Sequence, residues 1–408
     1  ASSDLDYVAT SSLALNSGTI KDGVGNDASL TLAAPGQANS LGANKALVID
    51  GVIPTVTNVT ATNNDGYFKA SDVISITVTF SEAVNVVTTG GTPTLTLETG
   101  TNDAAVNYTS GTGTNTLTFA YTVASGHTSS DLDYVATSSL ALNSGTIKDG
   151  AGNNATLTLA TPGQANSLSA NKTLIVDAVI PVVSSVTSSS SDGYYMIGDV
   201  IPINIIFSEV VTVNTSSGVP QITLETGNTD INVSYVSGSG SNTLTFNYTV
   251  ASGHVSSDLG YVSSNPFILN NGTIVDVANN SANMTLPDAG AQNSLSSNKA
   301  IIIDGTVSTI TSVSSDVSDG TYRLGQTIPI KITFSEAVVV TGTPQLTLET
   351  GTNDAVVDYS GSGSGSNALT FNYTVAAGHS VSDLDYVSTS ALALNGGTIK
   401  DVAGNASV

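Results

Sequence analysis

The chain has 408 residues, of which 32 are acidic and 9 basic, giving a formal charge of −23, and it contains neither cysteine nor tryptophan. Such an excess of carboxylates repels nucleic acid phosphates and anionic membrane surfaces, which excludes both as partners and makes divalent cations the natural counter-ligands. Without cysteine there is no disulfide framework and no thiol chemistry, and no apolar run approaches the ~20 residues that a membrane-spanning helix needs.

Hydrophobic residues make up 40% of the chain and alternate with Ser, Thr and Asn in orderly runs, which separates it from disordered sequences of similar polarity. The expectation is a folded, all-β, secreted protein. Residue 1 is neither a methionine nor part of a basic signal segment, so it is not expected to be the gene's start.

Residues 2–23 recur unchanged as residues 129–150. The string FSEAV at Phe80 returns as FSEVV at Phe207 and FSEAV at Phe334, a spacing of 127 residues each time, and YTVASGH or YTVAAGH ends at His127, His254 and His379. Junctions at Asp50, Asp177 and Asp304 divide the chain into residues 1–50, the C-terminal part of a preceding module, then modules 51–177 and 178–304, and a module 305–408 that lacks its C-terminal strands. A period of this length is that of a self-contained domain, too long for a solenoid unit.

Within a module the period is two. Ile74, Ile76, Val78 and Phe80 share one face, Ser75, Thr77 and Thr79 the other, which predicts a half-buried strand; Ile201 to Phe207 and Ile328 to Phe334 repeat it. Pro202 and Pro329 lie early in that strand and predict a sheet edge there. TLTLET, TLTFAYTV, SLALN, ATLTLA and KTLIVD supply further strands, separated by Gly, Asn and Asp turns. Seven to nine strands and no long helix predict tandem immunoglobulin-like β-sandwich modules of about 127 residues.

The succession DGYFKASDVISITVTFSEAV, GTPTLTLETG, NTLTFAYTVASGH, SSDLDYV, LALNSGTIKDGAGN and KTLIVD resembles the long Ig-like repeats of very large bacterial cell-surface adhesins. The resemblance spans essentially the whole chain and implies an exported, multi-module stalk or fibre, often calcium-stabilised. Gln326 departs from Asp72 and Asp199, and Gly260 from Asp133 and Asp385, which puts in doubt a metal site built on those positions.

Carboxylates recur at fixed places, among them Asp65 before glycine, Glu82, Glu209 and Glu336 after FS, and Glu98 before TG. Calcium takes six to eight hard oxygens from carboxylates, amides and carbonyls. The candidate ligands are Asp131 with Asp133, Asp149 with Asn153, their counterparts Asp258, Asp276, Asp383, Asp385 and Asp401, and the junction residues Asp50, Asp177 and Asp304. The competing expectation is that these side chains close turns and face water.

One histidine per module, without cysteine or a second histidine, predicts an exposed loop residue rather than a zinc or nucleophilic site. Three near-copies of one active site would be odd, so no enzyme is expected. Tyr67, Tyr194, Tyr195 and Tyr322 after the DG turn leave open a lectin-like adhesin that binds a host or cell-surface glycan. Lys45, Lys172 and Lys299 before the last strand are either snorkelling side chains or partners in isopeptide crosslinks. The expected function is an extracellular, cell-surface structural or adhesive fibre. Its modules are either beads within one giant chain or subunits that self-associate head to tail, residues 305–408 of one accepting strands from 1–50 of the next. Residues 2–23 and 382–402 represent the same part of the module, which argues against simple complementation.

Overall fold

The computed structural model describes residues 4–407. They form an all-β chain of tandem immunoglobulin-like β-sandwich modules, and their helices are single turns. Contacts divide the chain into two compact units, residues 1–179 and 180–408.

In the first unit the strands are β1 (Val56–Ala61), β2 (Gly66–Phe68), β3 (Val73–Val87), β4 (Thr94–Leu97), β5 (Ala104–Ser110), β6 (Thr114–Thr122), β7 (Thr128–Ser129), β8 (Leu140–Ala141), β9 (Thr146–Lys148) and β10 (Leu174–Asp177). Seven of them make one curled sheet in the order β1-β3-β6-β5-β4-β8, with β9 on the far half of β3; β2-β10-β7 make a second, in which β10 runs parallel to β2. The strand count exceeds the predicted seven to nine because β2, β7, β8 and β9 are only two or three residues long.

Strand β3 organises the fold. Residues 73–79 pair with β6, the register shifts across residues 80–83, and residues 85–87 pair with β9. One strand thereby pairs with β6 along its first half and with β9 along its second, and it bends at the FSEA string, as bulged strands do. Ile74, Ile76, Val78, Phe80 and Val84 are fully buried on its inner face, against Leu117, Phe119, Leu168, Leu174 and Val176 of the same cluster. The turn between β8 and β9 passes through Asn143 and Ser144 at positive φ values of 52° and 69°, a conformation that Asn adopts more readily than most residues.

The second unit holds two further hydrophobic clusters, one from Val186 to Ile303 and one from Ile328 to Ile399. Each is organised around a fifteen-residue strand, Val200–Asn214 or Thr327–Thr341, with the same bend.

ATLTLA, expected as a strand, is not one. Ala155 N donates to Ile147 O, Thr156 N to Pro54 O and Leu159 N to Thr137 O, so the segment shares its bonds among three neighbours instead of following one. Residues 4–50 contain no named strand; they hold the one-turn helix Leu41–Asn44, an isolated Lys21–Asp27 bridge and a further bridge residue at Ile49.

The prolines mark a local edge inside a central strand. Val200–Asn214 is flanked on both sides, but its neighbour Val183–Ser188 ends opposite Ile203, one residue past Pro202. The Pro202 carbonyl takes a bond from Ser188 Oγ, and Pro329 repeats this with Ser315. At the equivalent Ser75 the amide donates to Asn63 Oδ1, a side chain replaced by Ser190 and Val317 where the proline has no N–H to cap.

Ser75→Pro should therefore cost less than about 1 kcal/mol, whereas Thr77→Pro, inside the Thr60 pairing, should cost about 2 kcal/mol or more through a lost ladder bond. Urea unfolding of the two variants checks this, and equal losses would contradict the assignment.

Candidate metal centre

Three acids that are distant in sequence converge beside the segment that leads into β1. Asp50 precedes the strand that opens the module, Glu82 sits in the bend of β3, and Asp149 follows β9. Each offers a carboxylate oxygen, and these oxygens lie within 4.8 Å of one another. Asp304, Glu336 and Asp401 form the same group in the second unit, with Asp304 the last residue of strand Ile301–Asp304. Asp177, Glu209 and Asp276 are the sequence counterparts one repeat along.

Local hydrogen bonds hold two of the three acids. Asp149 is 5% exposed; its Oδ1 accepts from the amides of Ala151, Gly152 and Asn153 at 2.7–2.9 Å and its Oδ2 from Asn153 Nδ2 at 2.7 Å. Burial pushes the Asp149 carboxyl up, but the bonds from Asn153, Gly152 and Ala151 outweigh it and hold the group below its ordinary value. Asn153 Nδ2 also reaches the Asp50 carbonyl at 3.0 Å, which ties the incoming linker to the loop. Asp401 and Asn405 repeat this, Asn405 Nδ2 reaching the Asp304 carbonyl at 2.9 Å. Asn405 Oδ1 further accepts from Ile197 N at 2.9 Å, so one amide side chain joins three points of the second unit. Asp50, Asp177 and Asp304 each accept a bond from the amide two residues on, closing a turn with one oxygen.

The third acid is different. Glu82 Oε1 is buried and accepts no hydrogen bond, a state that costs about 1–3 kcal/mol for a neutral acceptor and more for a charged one. Two unit charges about 4.8 Å apart at an effective dielectric near 20 repel by roughly 3 kcal/mol, less where solvent screens them. Burial, and after it the charges of Asp304 and Asp401, pushes the equivalent Glu336 carboxyl up. An oxygen cluster with an orphaned carboxylate oxygen fits a hard cation.

The other candidate acids lie outside these groups. Asp133 is a structural hub whose Oδ1 accepts from Tyr134 N and whose Oδ2 accepts from Gly163 N and Ser169 Oγ. Asp131 is exposed; burial of part of its carboxyl, with the nearby charges of Asp133 and Asp65, pushes it up against a bond from the Leu174 amide. Asp258, Asp383 and Asp385 are likewise exposed, and Asp385 accepts from its neighbour Tyr386 N. Asp72, Asp199 and Gln326 all cap the same turn, so the departure at Gln326 preserves its function.

The histidines are half-buried rather than exposed. Each stacks on a tyrosine, and its Nδ1 meets that hydroxyl at 2.7 Å for Tyr121–His127 and 2.9 Å for Tyr248–His254 and Tyr373–His379. Lys172 and Lys299 donate to the backbone carbonyls of Asn63 and Ser190, which occupies the ammonium. Tyr67 and Tyr194 are exposed, while Tyr195 and Tyr322 donate to the carbonyls of Ser191 and Ser318.

A carboxyl whose pKa is higher folded than unfolded costs stability once the pH passes its unfolded value, and that cost disappears when acid protonates it in both states. In metal-free protein Glu336→Gln should therefore raise the unfolding free energy at neutral pH, with the gain vanishing below the ordinary glutamate range. A gain that is the same at every pH would contradict the crowding of charge.

No protein-family model and no curated protein matches the chain. Among solved structures it is similar to the FN1–FN3 domains of chicken CNTN1, at 8% identity and a TM-score of 0.24 over 78% of this chain and 88% of that one. It is also similar to the extracellular region of plexin A4, at 11% identity and 0.17 over 81% of this chain and 21% of that one. A third likeness is to E. coli alpha-2-macroglobulin, at 9% identity and 0.16 over 80% and 21%. Scores this low support no inference about this chain.

Proposed function

We propose that the chain is a calcium-stabilised structural segment of an extracellular, cell-surface fibre, in which each sandwich is a spacer and each acid group pins a module to the one before it. The observation that carries this reading is the convergence of Asp304, at the end of one module, with Glu336 and Asp401 of the next, matched by Asp50, Glu82 and Asp149.

Calcium suits the group better than magnesium, because it takes six to eight oxygens in flexible geometry, carboxylates and backbone carbonyls together, whereas magnesium keeps several waters and is usually held by one or two carboxylates. Extracellular calcium modules bind at roughly 10⁻⁴–10⁻³ M, so sites with only three carboxylates remain loaded outside cells.

A bound cation would neutralise the crowded charges and give Glu82 Oε1 the partner it lacks. Because Asp50 and Asp304 belong to the incoming chain, the same bond would restrain the joint, which is what a load-bearing stalk requires. Among the described residues no helix is long and apolar enough to cross a membrane. The acidic surface disfavours nucleic acid as a partner.

Thermal unfolding tests the reading. Calcium at a hundred times its Kd adds about 2.7 kcal/mol per site and should raise the midpoint by roughly 10 °C over the chelated protein. Glu82→Gln with Glu336→Gln should abolish most of that shift. An unchanged midpoint on chelation would remove calcium from the account.

A further inference from the structure

Strand β1 meets the bend of β3 at a serine. Val56 pairs with Phe80, so the register places Thr55 opposite Ser81, where a regular antiparallel pair would exchange two backbone bonds. Here only one of the two runs from backbone to backbone. Ser81 N donates to Thr55 O at 2.8 Å, whereas Thr55 N donates to the Ser81 hydroxyl at 3.1 Å. The same exchange recurs between Val182 and Ser208 and between Thr309 and Ser335, at 2.8 Å for the backbone bond and 3.0 Å for the bond to the hydroxyl. The partner varies between threonine and valine because only its backbone is used, while the serine is kept in all three repeats because its hydroxyl is used.

The place of this bond ties it to the acid groups. Ser81 and Ser335 directly precede Glu82 and Glu336, and Thr55 and Thr309 stand five residues after Asp50 and Asp304. The carbonyl of each junction aspartate is already held by Asn153 or Asn405, which binds it to the loop of Asp149 or Asp401. Toward the glutamate, the incoming chain is held at Ser81 and Ser335. Its other side is bonded too: Pro54 O accepts from Thr156 N at 2.8 Å, and the hydroxyls of Ser308 and Ser407 meet. The linker is therefore stitched to both elements that carry the remaining acids of its group.

We infer that Ser81 and Ser335 are positioning residues of the acid sites, their hydroxyls holding the incoming chain against the bend so that Asp50 meets Glu82 and Asp304 meets Glu336. Neither serine is a ligand; each sets the separation of two carboxylates that are. Both are exposed, so water can take the place of a deleted hydroxyl and the fold loses little. The linker is then free to lift from the bend, and the cost of ordering it again falls on cation binding.

The inference rests on the calcium reading and names the residues that set the geometry of its sites. In equilibrium dialysis of the full chain, Ser81→Ala with Ser335→Ala should raise the calcium Kd of these two sites roughly tenfold, the worth of about one hydrogen bond. Ser81→Thr with Ser335→Thr, which keeps the hydroxyls, should bind as the parent does. In chelator, hydrogen exchange at the Thr55 and Thr309 amides should quicken in the alanine variant and stay slow in the threonine variant, at a nearly unchanged unfolding midpoint. An alanine variant with the parent's Kd, or a threonine variant as weak as the alanine one, would overturn the inference and leave calcium in place. A midpoint lowered in chelator, with exchange quickened throughout the chain, would make the serines general supports of the fold and overturn it as well. A parent that binds no calcium would instead remove the calcium reading, and this inference with it, so the two failures are told apart by the parent alone.

Discussion

A fifteen-residue strand that pairs with different neighbours along its two halves has to bend, and the bend at Phe80 to Ala83 sets where everything else goes. Before it, inward side chains are sealed among the apolar residues of both layers. At the bend the inward phase continues onto Glu82, which leaves the core at the module's end and meets the acids of the entering linker and of the loop after β9. A single backbone irregularity thus converts a core position into a joint position. The repeats in the second unit keep the same shift between Ile206 and Val211 and between Thr333 and Val338.

Hydrogen bonds of the chain itself hold most of each acid group in place. Asp149 and Asp401 are fixed by amides of their own loops, and Asn153 and Asn405 reach back to the carbonyls of Asp50 and Asp304. What remains unsatisfied is charge. A divalent ion that relieved this repulsion would meet oxygens already in place, without the entropic cost of assembling a site.

Much of this was legible in the sequence. The 127-residue spacing, the alternation in β3 and the turn chemistry carried the fold. Asp149 with Asn153 and the junction aspartates were recognisable as a loop and a linker rich in oxygen. The sequence also contained the sign that Glu82 belongs with them, because it continues the inward register of Ile76, Val78 and Phe80 and is kept in all three repeats. Periodicity alone does not say that the register survives a bulge, nor that the bulge faces the preceding linker. Asp133 could not be separated from Asp131 for a related reason: its donors, Gly163 N and Ser169 Oγ, lie thirty or more residues away. ATLTLA alternates like a strand but has no single neighbour to pair with, which composition cannot reveal.

The central claim is that Glu82 and Glu336 complete cation sites at the module joints. Equilibrium dialysis of the full chain against calcium, compared with the Glu82→Gln and Glu336→Gln variants, measures it directly. The account predicts saturable binding to the parent and the loss of one site with each substitution. Binding of the same stoichiometry and affinity in parent and variants, or none at millimolar calcium, would contradict it.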